Sequence, residues 1–403
     1  MEDIQKSAVS HSRWLNINYT SLQFVYFMLN CAITSFAAVF LLYNRFQNHQ
    51  LGIIMALANL VSVLLQPFLT QQVIRRWKIS VKTTIRSLIL IFVLSMIPLI
   101  FIQGNIKLIT VCYTIAAIII ITLQPFINSL AFQFINLGYS VNFGASRGAG
   151  SLSYAITSYT LGYLLAIFTA NSLPIIVVVL AVLLVIPLGF LPKTDNVQMK
   201  DTDQDNGNGS SLIDAGHRYP FIIPLFIGFS FIFIFHTIIS TSITQVLYSF
   251  GGTSKNVGIA LMTAGLCELP AMFAFNWLVK IRSAGFWLKL SAVFFLIRAV
   301  TVWLAPSMQI VELSQFLQAV SFALFIPSSA YLLNDALRKS DAVLAQTLIT
   351  AAMTVGAIIA NVISGYLLDI LGVRSMLFFS MICALFGLIF TIVGLRSIKK
   401  IKQ

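Results

Sequence analysis

Apolar residues along this chain gather in long unbroken blocks separated by short polar stretches. About twelve blocks of roughly 18–27 residues can be marked, at 21–43, 50–74, 84–103, 108–135, 147–169, 173–191, 219–245, 256–279, 285–305, 309–334, 343–368 and 375–395. A helix rises 1.5 Å per residue, so about 20 apolar residues cross a hydrocarbon core near 30 Å thick. Each block is therefore read as a membrane-spanning helix, and the fold class as an all-α membrane protein with 12 transmembrane helices. A transmembrane β-barrel would instead show ~10-residue segments of alternating hydrophobicity, and the blocks do not alternate.

Composition sharpens this picture. Of 403 residues, 58% are hydrophobic and only 9% charged, where a soluble domain carries about 25% charged residues. A soluble enzyme, a secreted disulfide scaffold and a disordered chain are thereby excluded. Residues 1–20 are polar and the first apolar run is too long for a signal peptide, so that run is read as the first span. Cys31, Cys112, Cys267 and Cys383 all fall within spans without metal-like spacing, and are read as small buried hydrophobes.

The net charge is +13. On a soluble chain it would suggest a nucleic-acid partner; here its placement reports topology. With the N-terminus inside, the inside segments hold nineteen Lys and Arg and the outside ones four (Arg45, Lys107, Lys255 and Arg374). That asymmetry follows the positive-inside rule and puts both termini in the cytoplasm of a multi-pass cell (inner or plasma) membrane protein. The basic segments then meet anionic membrane lipids, and no nucleic-acid partner is expected.

Residues 194–217 are polar and rich in Gly, Asn, Asp and Ser, and read as a cytoplasmic linker between halves 1–193 and 218–403, each a six-helix bundle. Faint internal echoes suggest that the halves are pseudo-symmetric. Leu161-Gly162-Tyr163-Leu164-Leu165 recurs as Ser364-Gly365-Tyr366-Leu367-Leu368, and Pro125 in the fourth span answers Pro327 in the tenth. Small residues cluster in the fifth span (Gly144, Ser146, Gly148, Gly150) and the eleventh (Gly356, Ala357, Ala360, Ser364, Gly365), where they let helices approach closely.

Charge inside a bilayer costs several kcal/mol, so each intramembrane ionisable group needs a reason. Four stand out: Arg147, His236, Glu268 and Arg298, with Glu268 the one carboxylate well inside a span. Gln124 and Asn128 lie four apart in the fourth span, Tyr154 lies seven after Arg147, and Gln315, Gln318 and Ser321 share one face of a helical tenth span. Amides, a tyrosine and an Arg/Glu pair suit a polyhydroxylated solute; interhelical hydrogen bonding is the plainer alternative for each residue. The chain has no P-loop, HExxH or GxSxG. No enzyme activity, metal or cofactor is expected, and ATP-driven pumping is disfavoured.

Several segments resemble the major facilitator superfamily, and within it the lactose permease type of oligosaccharide:proton symporters. These are LGIIMALANLVSVLLQPF (51–68), FGASRGAGSLSY (143–154), Glu268 followed by Ala271-Met272-Phe273, and Arg298 with Gln318 twenty residues on. The resemblance implies two six-helix halves, alternating access and a monomer. It implies substrate-binding roles for Asn128, Arg147, Tyr154, Glu268 and Gln318, and coupling roles around Glu268, Arg298 and Ser321, with His236 a further candidate for protonation. The departures are specific. Asn128 stands where the family has a glutamate, and Gln318 and Ser321 stand where it has a His/Glu coupling pair.

The expected function is secondary active transport, with proton-coupled import of a small hydroxylated solute such as a sugar. Three alternatives stay open: uniport or efflux of amphipathic compounds, proton-coupled import of nucleosides or aromatic acids, and a membrane scaffold or sensor without transport.

Overall fold

The computed structural model describes residues 2–102, 104–192, 218–338 and 342–402, with side chains described for 13–102, 104–192, 218–275, 277–338 and 344–398. The expected linker 194–217 lies outside the described residues. Among those described, the chain is helical throughout with no strand.

The helices are α1 (Glu2–Asn30), α2 (Ala37–Tyr43), α3 (Asn48–Phe68), α4 (Val81–Phe101), α5 (Ile106–Asn136), α6 (Phe143–Phe168), α7 (Leu173–Phe190), α8 (Ile222–Thr241), α9 (Ile243–Ser249), α10 (Ser254–Ile281), α11 (Ala284–Trp303), α12 (Met308–Ser314), α13 (Phe322–Ala336), α14 (Ala342–Ile370) and α15 (Gly372–Lys402). Among the described residues, eleven helical segments are long and apolar enough to cross a membrane. A twelfth is formed if Arg13–Ser35 and Ala37–Tyr43, bent by 44° at Phe36, count as one span. The apolar blocks of the sequence thus become the spans of the structure.

Two compact units form. One comprises residues 1–46 and 57–205, the other residues 47–56 and 206–403, so the first turns of α3 are grouped with the second unit. In the first unit α1 packs on α6 and α7, and α4 on α5 and α7. In the second, α8 packs on α14 and α15, and α11 on α13 and α15. The small-residue stripe of the eleventh span works here. A Cβ added to Gly356 would lie 2.7 Å from Phe233 Cβ and 2.9 Å from Ser230 O, so the α8–α14 approach requires glycine.

Several spans are interrupted where hydropathy alone predicts one helix. The first passes through a π-helical turn, Cys31–Ser35, before Phe36. The seventh breaks at Ser242, between α8 and α9. The backbone at the two breaks is nearly identical, φ −98° and ψ 10° at Phe36 against φ −102° and ψ 11° at Ser242. The tenth span is α12, a 3-10 segment Gln315–Ala319, and α13. The predicted continuous helix is thus replaced by a tighter coil in its middle.

Polar residues at the loops fix where helices start. Ser80 Oγ, Asn105 Oδ1 and Asn142 Oδ1 accept from the backbone N–H three residues on, capping α4, α5 and α6. Lys82 does the reverse for a helix end. It is buried, and its Nζ donates to Gly189 O at 3.1 Å and to Leu191 O, so the last carbonyls of the sixth span meet a cation. Lys82→Met should lower stability by about 1–3 kcal/mol, because buried carbonyls lose a charged donor. Thermal unfolding in detergent measures this, with Lys78→Met at an exposed neighbour as the unaffected control.

Candidate functional site

In the first unit three helices bring polar side chains together. α1 contributes Tyr19, Gln23 and Phe27 at successive intervals of four, one face of a helix. α5 adds Gln124 and Asn128, and α6 adds Arg147, Gly150 and Tyr154. Gln23 Nε2 donates to Asn128 Oδ1 at 2.9 Å and to Tyr19 OH at 2.7 Å. The Arg147 guanidinium lies over the Phe27 ring, 4.4 Å from its centroid. Gln124, with its amide oxygen turned toward Arg147, accepts from both Nη1 and Nη2 at 3.0 Å. A forked cation is thus held by an amide and an aromatic face.

Gly150 makes room for this. A Cβ there would lie 2.5 Å from Phe27 Cδ2, so any larger residue pushes the ring off the guanidinium. Tyr154 OH shares a hydrogen bond of 2.6 Å with Ser35 Oγ, in the π-helical turn of the first span. Gln23 is buried, and its Oε1 has no hydrogen-bond partner. An orphaned acceptor thus lies on the amide that donates to Asn128.

In the second unit a polar chain runs through the bundle. Glu268 Oε1 accepts from Gln318 Nε2 at 2.8 Å. Arg298 Nη1 donates to Gln318 Oε1, and Arg298 Nη2 to Gln315 Oε1 at 2.6 Å. Arg298 is 2% exposed, Gln315 3% and Gln318 4%. Both glutamines sit in the 3-10 segment, where residues three apart eclipse one another, so their two amides line up for one guanidinium. Arg298 Nε makes no hydrogen bond.

The remaining expected site residues lie apart from this chain. Ser321 Oγ donates to Leu317 O at 2.7 Å, back onto its own span. His236 stacks on Phe322 at 4.2 Å, with Phe295 and Phe233 edge-on, and its Nδ1 has no hydrogen-bond partner. The structure therefore groups Glu268, Arg298 and Gln318, and separately Asn128, Arg147 and Tyr154, and seats His236 among aromatic rings.

Sequence reasoning missed Tyr19, Gln23 and Phe27, which lie in an apolar run without charge. Their four-residue interval was a readable signal. So was the acid distribution: no Asp or Glu occurs between Asp3 and Asp195. A carboxylate that balances Arg147 must therefore come from outside that whole stretch, or from a ligand.

Helical bundles with buried intramembrane charge and discontinuous spans define a polytopic membrane protein. A family model described as "MFS_1 like family" matches residues 16–381. The chain belongs to that family, within the major facilitator superfamily, and is a membrane transporter and not an enzyme. Among solved structures it is similar to the nucleoside transporter NupG, with TM-score 0.79 and 14% identity over 95% of this chain and 98% of that one. It is similar to a D-xylose-proton symporter, with TM-score 0.69 and 12% identity over 95% and 97%. A bacterial homolog of the human lysosomal transporter Spinster gives TM-score 0.71 and 10% identity over 96% and 98%. Identities this low speak for the fold alone. No curated protein matches the chain.

Gln318→Leu should leave Arg298 with one acceptor fewer in a buried site. The expected loss is about 3–5 kcal/mol of stability, since a buried charge loses its partner. Gln318→Glu keeps the acceptor for Arg298 and should retain the fold with one proton shared between the new carboxyl and Glu268. Thermal unfolding of the two variants in detergent distinguishes them; equal midpoints would show that Arg298 does not depend on this amide.

Proposed function

We propose that this protein is a proton-coupled importer of a small hydroxylated solute, a sugar or short oligosaccharide, working by alternating access. The observation that carries the reading is the α1–α5–α6 stripe, where an orphaned acceptor on Gln23 lies beside Asn128 and the guanidinium of Arg147 lies on an aromatic face. Sugar hydroxyls both donate and accept, and an apolar ring fits the flat face of a pyranose. Arg147, Asn128 and Tyr154 then bind the solute in the first unit, and Glu268 and Gln318 are the solute-binding residues of the second. Glu268 carries the proton, since Gln318 and Ser321 cannot titrate, and Arg298 biases its protonation through the Gln318 amide. His236 is the secondary candidate.

A second reading, import of nucleosides, is favoured by the similarity to a structure described as a nucleoside transporter. A nucleoside brings ribose hydroxyls to the same amides and a planar base to the aromatic faces. Both readings place the protein as a monomer in the cell membrane, in contact with lipid, with both termini in the cytoplasm.

The test is solute-dependent alkalinisation of lightly buffered cells expressing the protein, run over a panel of sugars and nucleosides. The sugar reading expects alkalinisation with at least one sugar, reduced by about 10- to 100-fold in Arg147→Ala, since a charged hydrogen-bond partner to the ligand is worth about 1.5–3 kcal/mol. Glu268→Gln should abolish the proton signal. A signal with nucleosides only would select the second reading. Uptake without alkalinisation would select uniport.

A further inference from the structure

Away from these residues, a second cluster with titratable groups sits where the first turn of α3 meets the end of α14. Asp369 accepts four hydrogen bonds there. Its Oδ1 accepts from Asn48 N at 3.0 Å and Asn48 Nδ2 at 2.8 Å, and its Oδ2 from His49 N at 2.8 Å and His49 Nδ1 at 2.7 Å. The carboxylate therefore caps the start of α3 from 320 residues away. It satisfies amides that have no partner within their own helix and lies at the positive end of the helix dipole. The His49 ring also stacks on Tyr366, centroids 5.4 Å apart and planes 20° apart. Asn48 Oδ1 accepts from Gln245 Nε2 of α9 at 3.1 Å.

Backbone packing is as close as the hydrogen bonding. A Cβ on Gly365 would lie 2.7 Å from Asn48 O and 2.8 Å from His49 Cα, and one on Gly52 would run into Asn361 O. Two glycines thus let α3 and α14 touch backbone to backbone, and the charged cluster closes the end of that contact. Residues 47–56 and 206–403 are grouped in the second unit, so this attachment lies within it.

We propose that His49 and Asp369 form a proton-operated clasp: the imidazolium form of His49 fastens the first turn of α3 to the end of α14, and loss of that proton loosens it. In the charged form the His49–Asp369 bond joins opposite charges, which makes it stronger than a neutral one. Neutral His49 can still donate from Nδ1, but only in one tautomer and without charge. Both side chains are partly open to water, at 28% for His49 and 23% for Asp369, so protons reach them. The titratable groups facing His49 are Asp369 and Tyr366 of α14. Tyr248 follows Gln245 on α9, Arg45 precedes α3, and Arg374 opens α15. The clasp is therefore tighter when His49 carries its second proton and slacker when it does not.

The clasp does not depend on which solute is carried, and its test needs none. Spin labels at Ile53→Cys and Leu371→Cys, both exposed, report the distance between the two helix ends in nanodiscs. Moving from about pH 8 to about pH 5.5 should raise the short-distance population relative to the long one by about threefold, the scale of a partly exposed ion pair. His49→Gln keeps a donor to Asp369 but cannot charge, and should give distances that no longer respond to pH. Asp369→Asn should also lose the response. Distances independent of pH in the parent pair would overturn the proposal, as would a full response surviving in either variant.

Discussion

The structure depends on how a guanidinium is solvated in the absence of water. Arg298 is 2% exposed, and the protein supplies what bulk solvent cannot: the amide oxygens of Gln315 and Gln318, with Glu268 one hydrogen bond further on. An isolated charge in that position would cost more than most folds can offset. The amide between acid and base sets the polarity of the chain, because its oxygen faces the cation and its nitrogen faces the carboxylate. Any change in the charge of Glu268 is thereby felt at Arg298 through that amide.

That requirement explains the irregular backbone. A regular α-helix would place Gln315 and Gln318 a full sixty degrees apart around its axis, whereas the 3-10 segment stacks them on one side. The π-helical turn Cys31–Ser35 likewise places Ser35 against Tyr154. These two departures from regular helix coincide with polar contacts, one in each unit. Small residues elsewhere, such as Gly356 against Phe233, let the surrounding spans close on these sites.

The spans were legible in the sequence because bilayer thickness fixes their length and hydrocarbon fixes their composition. Arg147, Glu268 and Arg298 were legible because charge is rare in such segments. The breaks at Phe36 and Ser242 and the 3-10 segment were not, since hydropathy sums over a window and is blind to a change of helical pitch. Gln23 and Phe27 escaped because a neutral amide in the run SLQFVYFMLN carries no hydropathy alarm. The clasp escaped for another reason: His49 and Asp369 are ordinary loop-edge residues until folding brings positions 320 apart in the chain to hydrogen-bonding distance.

The central functional claim is the proposal that Arg147 and Asn128 of the first unit act on one bound solute. A double-mutant cycle on solute binding tests it most directly, comparing Arg147→Ala, Asn128→Ala and the combined variant with the parent protein. Shared duty predicts strong coupling, so that the double variant binds no more weakly than the weaker single one. Losses that simply multiply would show the two residues to be independent, and would contradict the account.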